Sequence, residues 1–191
     1  MLAFRPPVRL ADWTCDDAEL MARIQHGDRA AFAALVQRHA ERFYRLAYRQ
    51  VGHKAEAEDI VQEAFLKLWG KPPASWDKER NTAFTTWFYR VVINLCIDHQ
   101  RKKRPLPLPE GLDMRDDGIS QEENLMLVQR RRQLEAQMKM LPPRQQAALN
   151  LCFYEGLSNQ EAAAVMGLRL KALQSLLMRA KVALREALKE V

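Results

Sequence analysis

The sequence predicts an all-α fold of two small helical domains joined by a flexible linker, the second carrying a helix-turn-helix. Three observations predict it. Apolar residues recur at helical spacing through most of the chain, and no stretch reads as a strand. Residues 105–120, PLPLPEGLDMRDDGIS, combine three alternating prolines, two glycines and net negative charge, a composition suited to a linker. Residues 158–179, SNQEAAAVMGLRLKALQSLLMR, set a capping box, a turn glycine and an apolar register at helix-turn-helix offsets.

In the first domain, Asp16 or Asp17 can cap a short helix containing Leu20, Met21 and Ile24, which Gly27 stops. Asp28 can cap the next, whose stripe is Phe32, Leu35, Val36, His39, Phe43 and Leu46, with Gly52 at its end. A third helix, roughly Ala55 to Trp69, divides into two faces. Ala57, Ile60, Val61, Ala64, Phe65 and Leu68 are apolar; Glu56, Asp59, Gln62 and Glu63 form a polar stripe at i, i+3 and i+4 spacing. Such a stripe is either a solvated face or an acidic docking surface for a basic partner. Gly70 and Pro72-Pro73 break the helix, and residues 71–83 form a polar loop containing Trp76.

The fourth helix, Phe84 to Arg104, carries three successive aromatics, Trp87, Phe88 and Tyr89, and ends in four cations, Arg101 to Arg104. Phe84, Trp87, Phe88, Val91, Val92 and Leu95 set its apolar side. Neighbours on a helix are rotated by ~100°, so at least one ring of the triplet should be exposed or lie at the edge. An exposed ring beside a cationic end suits nucleic acid, because rings stack on bases and cations neutralise phosphates. The alternative is an amphipathic core helix with a solvated basic tail.

The boundaries that follow are an arm at 1–15, a first domain at 16–104, a linker at 105–120 and a second domain at 121–191. In the second domain, Gln121 to Met140 reads as a helix with a basic run at Arg130–Arg132. Pro143 suits the first turn of another helix running through Tyr154, with Gly156 as its C-cap. The capping box Ser158–Glu161 opens a short helix to Val165, Gly167 makes the turn, and Arg169 to Lys189 is a long final helix. Ala163 is small where two helices cross closely. Ala162, Met166, Leu168, Leu173 and Leu176 supply the apolar contacts of the motif. Its second helix presents Arg169, Lys171, Gln174, Ser175, Met178 and Arg179, in the manner of a major-groove reader.

Composition agrees with a nucleic-acid partner. The 191 residues carry a net charge of +6 and a pI of about 9.4. Residues 1–104 hold 18 Lys+Arg against 13 Asp+Glu, the linker 1 against 4, and residues 121–191 hold 11 against 7, so two basic lobes flank an acidic connector. Cys15, Cys96 and Cys152 are odd in number and widely spaced, which fits a reducing compartment, and no apolar run approaches a membrane span. A cytoplasmic protein is expected. No P-loop, G-x-G-x-x-G, H-E-x-x-H or C-x-x-C occurs, so no catalytic residue, cofactor or metal is expected. Cys96 and His99 lie three apart on a helix, but further ligands are not evident, and a buried thiol near an exposed imidazole is the simpler reading. The methionines, among them Met126, Met138, Met140, Met166 and Met178, suit gap-filling or a partner surface.

Three segments carry a resemblance: AEDIVQEAFLKLW (57–69), FTTWFYRVVINLCIDHQRKKR (84–104) and LPPRQQAALNLCFYEGLSNQEAAAVMGL (141–168). In this order and spacing they resemble the bacterial extracytoplasmic-function sigma factors over about residues 17–188. The resemblance implies a promoter-specificity subunit of RNA polymerase with two helical regions. Region 2 would bind the polymerase clamp coiled coil through Glu56, Asp59, Gln62 and Glu63. It would capture a flipped non-template base with Asn81 and melt the minus-ten element with Trp87, Phe88 and Tyr89. His99, Arg101, Lys102 and Arg104 would contact duplex. Region 4 would read the minus-thirty-five element through its helix-turn-helix and meet the polymerase flap. The resemblance also implies an anti-sigma factor, often membrane-anchored in the family, and nucleoid association when active. Unpairing costs a few kcal/mol per base removed from the stack, and stacking that base on an aromatic returns ~1–3 kcal/mol.

One segment departs from the family pattern. Many members open the recognition helix with a Thr-Val-Lys-Ser-Arg-type run; here it is Ala172-Leu173-Gln174-Ser175-Leu176, with two cationic positions replaced. Readout should shift toward Arg169, Lys171, Gln174 and Arg179. A stand-alone helix-turn-helix regulator, binding duplex DNA without polymerase, is the alternative. The aromatic triplet and the acidic face of 55–69 favour the sigma reading.

Overall fold

The computed structural model describes residues 15–73, 84–103, 133–134 and 136–188, and all regular structure among them is helical. Among the described residues these helices follow in order: α1 (Asp17–Gln25), α2 (Arg29–Val51), α3 (Lys54–Gly70), α4 (Phe84–Lys103), α5 (Pro143–Leu149), a π-helix (Asn150–Tyr154), α6 (Asn159–Met166) and α7 (Leu170–Ala187). Residues 136–140 are also helical. The described residues group into two compact units. One takes those up to Tyr48 and His53–Cys96; the other takes Arg49–Gly52 and those from Ile97 onward. This division cuts within α2 and α4, where the sequence reading puts all of residues 16–104 in one domain.

The first unit forms where its caps predict. The Asp16 carboxylate accepts a hydrogen bond from the Glu19 N–H at 2.7 Å, opening α1. Asp28 accepts from the Ala30 and Ala31 N–H groups at 2.9 and 3.1 Å, opening α2, and the same bonds, with Arg23, hold its carboxyl below the usual range. Gly27 and Gly52 take φ of +79° and +83°, which lets each chain reversal occur without a Cβ clash. Leu20, Met21, Leu35, Phe43, Leu46, Leu68, Phe84, Phe88 and Ile93 are fully buried. Phe43 is the hub. Its ring lies 4.6 Å from Phe88 and 5.1 Å from Tyr89, both edge-on, and Phe65 of α3 meets Phe88 at 4.6 Å. Such pairs each add ~0.5–1.5 kcal/mol beyond the area they bury.

In the second unit, α5 begins at Pro143, as predicted. It does not run as an α-helix through Tyr154: at Asn150 it widens into a π-turn. The Asn150 side chain is fully buried and donates to the Gln50 side-chain oxygen at 2.9 Å. The Gln50 amide in turn donates to Gln100 Oε1 and the Pro143 carbonyl, each at 3.0 Å, while Gln146 donates to the Arg49 carbonyl at 2.9 Å. This amide cluster satisfies most of the polar groups it buries, while Asn150 Oδ1 and Arg49 Nε are buried without a hydrogen-bond partner among the described residues. Gly156 then takes φ +71°, and the Leu157 N–H returns to the Leu151 carbonyl at 3.0 Å.

Candidate nucleic-acid and partner interfaces

The helix-turn-helix forms as its sequence dictates. The Ser158 N–H donates to Glu161 Oε2 at 2.8 Å and the Glu161 N–H to Ser158 Oγ at 3.3 Å, completing the capping box of α6. Gly167 sits at φ +63°, and the Leu168 N–H closes on the Ala163 carbonyl at 2.9 Å. Ala162, Ala163 and Met166 are buried where α6 meets α7, and Leu173, Leu177 and Ala180 are the buried side of α7. Leu176, expected among the contacts of the motif, is half-buried. The opposite side is open: Lys171, Gln174, Ser175, Met178 and Arg179 are all exposed, as is the N-cap residue Arg169. The structure therefore brings all six predicted readers onto one solvent-facing surface at the start of one helix.

On α3 the two faces separate as expected. Ala57, Ile60, Val61, Ala64, Phe65 and Leu68 are buried; Asp59, Gln62 and Glu63 are exposed, and Glu56 is half-buried at their edge. Glu63 bonds Lys67 at 2.8 Å, an exposed i,i+4 pair of small worth. The sequence reading did not place Leu66. It is 59% exposed, three and four residues beyond Glu63 and Gln62, and puts an apolar group on the polar stripe. Its signal was an apolar residue out of register with the buried set.

The α4 triplet divides differently from the expectation. Phe88 and Tyr89 are 0% and 2% exposed, so neither can stack on a base in this conformation. The buried side of α4 is Phe84, Phe88, Tyr89, Val92, Ile93 and Cys96, turned toward Tyr89 and Ile93 relative to the predicted stripe. Tyr89 is held by Phe43 beneath and by the Arg42 guanidinium, 5.2 Å from its ring centroid. Trp87, with Val91 and Leu95, lies at the half-exposed edge; its ring contacts Phe84 and Phe88 at 6.4 and 5.9 Å. Farther along, Arg101 and Lys102 are exposed and His99 is half-buried. Asn81, Arg104, Trp76, Met126, the linker 105–120 and the Arg130–Arg132 run lie outside the described residues.

The start of α4 is braced from beneath. His39 Nε2 lies 2.8 Å from Asp17 Oδ2, and Arg38 donates to Asp17 Oδ1 at 2.7 Å. Burial alone would raise the Asp17 carboxyl, but these two partners hold it below its usual range. The His39 ring then packs 5.1 Å from Phe84. Cys96 is fully buried, and that burial pushes its thiol up to about 12, so it is the inert core cysteine the sequence suggested. Among the described residues no group of three or more His, Cys, Asp or Glu could hold a metal ion, and no helix is long and apolar enough to cross a membrane.

Comparison with known proteins gives two matched regions. The family models described as Sigma-70 region 2 and Sigma-70, region 4 match residues 35–105 and 131–184. The chain is 30% identical over 180 residues to the ECF RNA polymerase sigma factor SigW of Bacillus subtilis, covering 88% of this chain and 95% of that one. It is 31% identical over 180 residues to the ECF RNA polymerase sigma-E factor of Escherichia coli, covering 88% and 92%. The solved sigma factor RpoE from Bartonella quintana, in complex with the anti-sigma factor NepR, shares the fold with a TM-score of 0.63 at 21% identity, over 83% of this chain and 96% of that one. Two matched regions in order, and relatives aligned over nearly their whole length, place this chain in the family of extracytoplasmic-function RNA polymerase sigma factors.

Proposed function

We propose that this sigma factor docks on core RNA polymerase through α3, opens the minus-ten element with the edge of α4 and reads the minus-thirty-five element with α7. The observation that carries the reading is the face of α3 opposite its buried side. Asp59, Gln62 and Glu63 are exposed there, with Leu66 one turn beyond Gln62 and Glu63, so an apolar centre of contact adjoins two carboxylates. Interfaces concentrate energy in such desolvated centres, while surrounding charges set register and on-rate. The clamp coiled coil is the proposed occupant, and the flap the proposed partner of the second lobe. Region 2 corresponds to residues 16–104, region 4 to residues 121–191, and residues 105–120 connect them.

Duplex opening on this reading uses no bond-making residue, and the protein is not an enzyme. Trp87 offers a ring to an extruded base, while Phe88 and Tyr89 support it from the core. Arg101 and Lys102, with His99 and Arg104, neutralise duplex phosphates, and Asn81 reads the flipped base. The family fold has been solved in the grip of an anti-sigma factor. An anti-sigma factor covering the polymerase-binding surfaces is proposed for this chain as well, holding it at the inner membrane where that factor is anchored. The free protein acts in the cytoplasm, on the nucleoid.

The double substitution Asp59→Lys, Glu63→Lys tests the docking face. Both positions are exposed, so helicity by circular dichroism should be unchanged, while co-purification with core polymerase should fall by at least tenfold, given like-charge costs of several kcal/mol at an interface. Undiminished co-purification of the folded variant contradicts the assignment.

A further inference from the structure

We infer that α7 reads an A·T pair through Gln174, and that this chain selects adenine in its minus-thirty-five element at the position where a cationic residue would select guanine. The inference rests on the proposed role of α7 in reading that element. It begins with which side chains are available. Leu173, Leu177 and Ala180 are buried, and Leu176 is half-buried, so these residues seat the helix. The surface left open in the first two and a half turns is Leu170, Lys171, Ala172, Gln174, Ser175 and Met178.

Chemistry then separates these six. The Ser175 hydroxyl donates to the Lys171 carbonyl at 2.9 Å, so its proton is committed to the helix. Leu170, Ala172 and Met178 carry no hydrogen-bonding group able to read a base pair. Lys171 is a point charge on a flexible stem, suited to a phosphate or a single guanine contact. Gln174 alone carries both a donor and an acceptor on one rigid amide, and that pair matches adenine, which offers an N6 donor and an N7 acceptor in the major groove. Guanine offers two acceptors there, against which the amide oxygen would be left without a donor.

The apolar neighbour agrees. Met178 lies four residues after Gln174, about one turn, and is 70% exposed. The thymine methyl is the apolar group on the major-groove edge of the base pairs. A thioether projecting from the reading face therefore favours an A·T-containing site and gains nothing from a guanine-rich one. Between Arg169 and Arg179 no arginine interrupts the run LKALQSLLM, so the forked guanidinium that commonly reads guanine is absent from those first two and a half turns and stands only at their ends. Arg169 and Arg179 flank that surface and suit phosphates, which position the helix without reading sequence.

The test is run-off transcription by holoenzyme, assembled from core polymerase and the full chain, on a promoter library randomised through the upstream element. Wild type should enrich adenine at one position by about tenfold over guanine. Gln174→Arg should move that same position to guanine, a gain that only a folded, docked variant can give. Gln174→Ala should flatten preference there and leave the other positions unchanged. Met178→Ala should weaken thymine preference at a neighbouring position. Initiation with no preference at any upstream position, or with guanine favoured by wild type where Gln174→Arg changes nothing, overturns the readout and leaves the sigma role standing. No initiation from any member of the library, by wild type or variants, overturns both. A uniform loss in Gln174→Ala across all library members would show a structural role for Gln174 and overturn the readout.

Discussion

Trp87 sits at the boundary between core and solvent because three consecutive aromatics cannot share one side of α4. Phe88 and Tyr89 take the buried positions against Phe43, and Trp87 is turned outward by one residue's rotation. The sequence shows that one ring must be left at an edge, but not which one. Val91, Val92, Ile93 and Leu95 are all apolar, so periodicity fixes the helix and leaves its phase uncertain by about one residue. The phase is decided by Phe43 and Phe65, which lie more than 18 residues away in sequence. A functional consequence follows. Trp87→Ala should slow promoter opening by about five- to a hundredfold, the equivalent of ~1–3 kcal/mol of lost stacking, and change closed-complex binding much less. Permanganate reactivity of unpaired thymines reports the first and a mobility shift at low temperature the second. Equal loss in both, with helicity retained, would mean that Trp87 serves docking or packing and not melting.

At the scale of elements, the capping residues made the helix-turn-helix legible. Ser158, Glu161 and Gly167 each act within one or two turns, so the sequence contains nearly all the information that shapes them. Ser158→Ala should therefore destabilise α6 by about 1 kcal/mol. For a unit of this size that lowers the midpoint of thermal unfolding by roughly 4–8 °C in calorimetry, and an unchanged midpoint would show that α6 is held by packing alone. The Glu161 carboxyl is held below its usual range by the Ser158 hydroxyl and N–H. The cap is accordingly intact above the ordinary carboxylate pKa and weakens as pH falls through the depressed value. The π-turn at Asn150–Tyr154 was not legible. Its Asn150 side chain is drawn to Gln50, a hundred residues earlier, and a run such as NLCFY has no local mark of a wider helix. That turn carries Phe153, 60% exposed and 5.0 Å from the Lys181 ammonium, a second apolar group that the sequence reading did not single out.

At the scale of the whole molecule, charge and patterning suggested a polyanion partner, but membership of the sigma factor family rests on three segments read in order. Each motif alone admits a plain alternative: a solvated acidic face, a core helix with a basic tail, a helical hairpin. Their co-occurrence is what the family models and the near full-length relatives bear out. In the proposed division of labour, protein contacts lie on the exposed acidic face of α3, and DNA contacts on the basic end of α4 and the open side of α7. That separation would let one chain hold polymerase and promoter together, each through a surface of complementary charge.

Run-off transcription with purified core RNA polymerase, with and without this protein, on a library of genomic fragments tests the central claim most directly. Start sites that appear only when the protein is added, and whose upstream sequences align into two elements, are the expected result. Specific binding of the protein to duplex DNA in the absence of polymerase, with no new start sites when both are present, would contradict it.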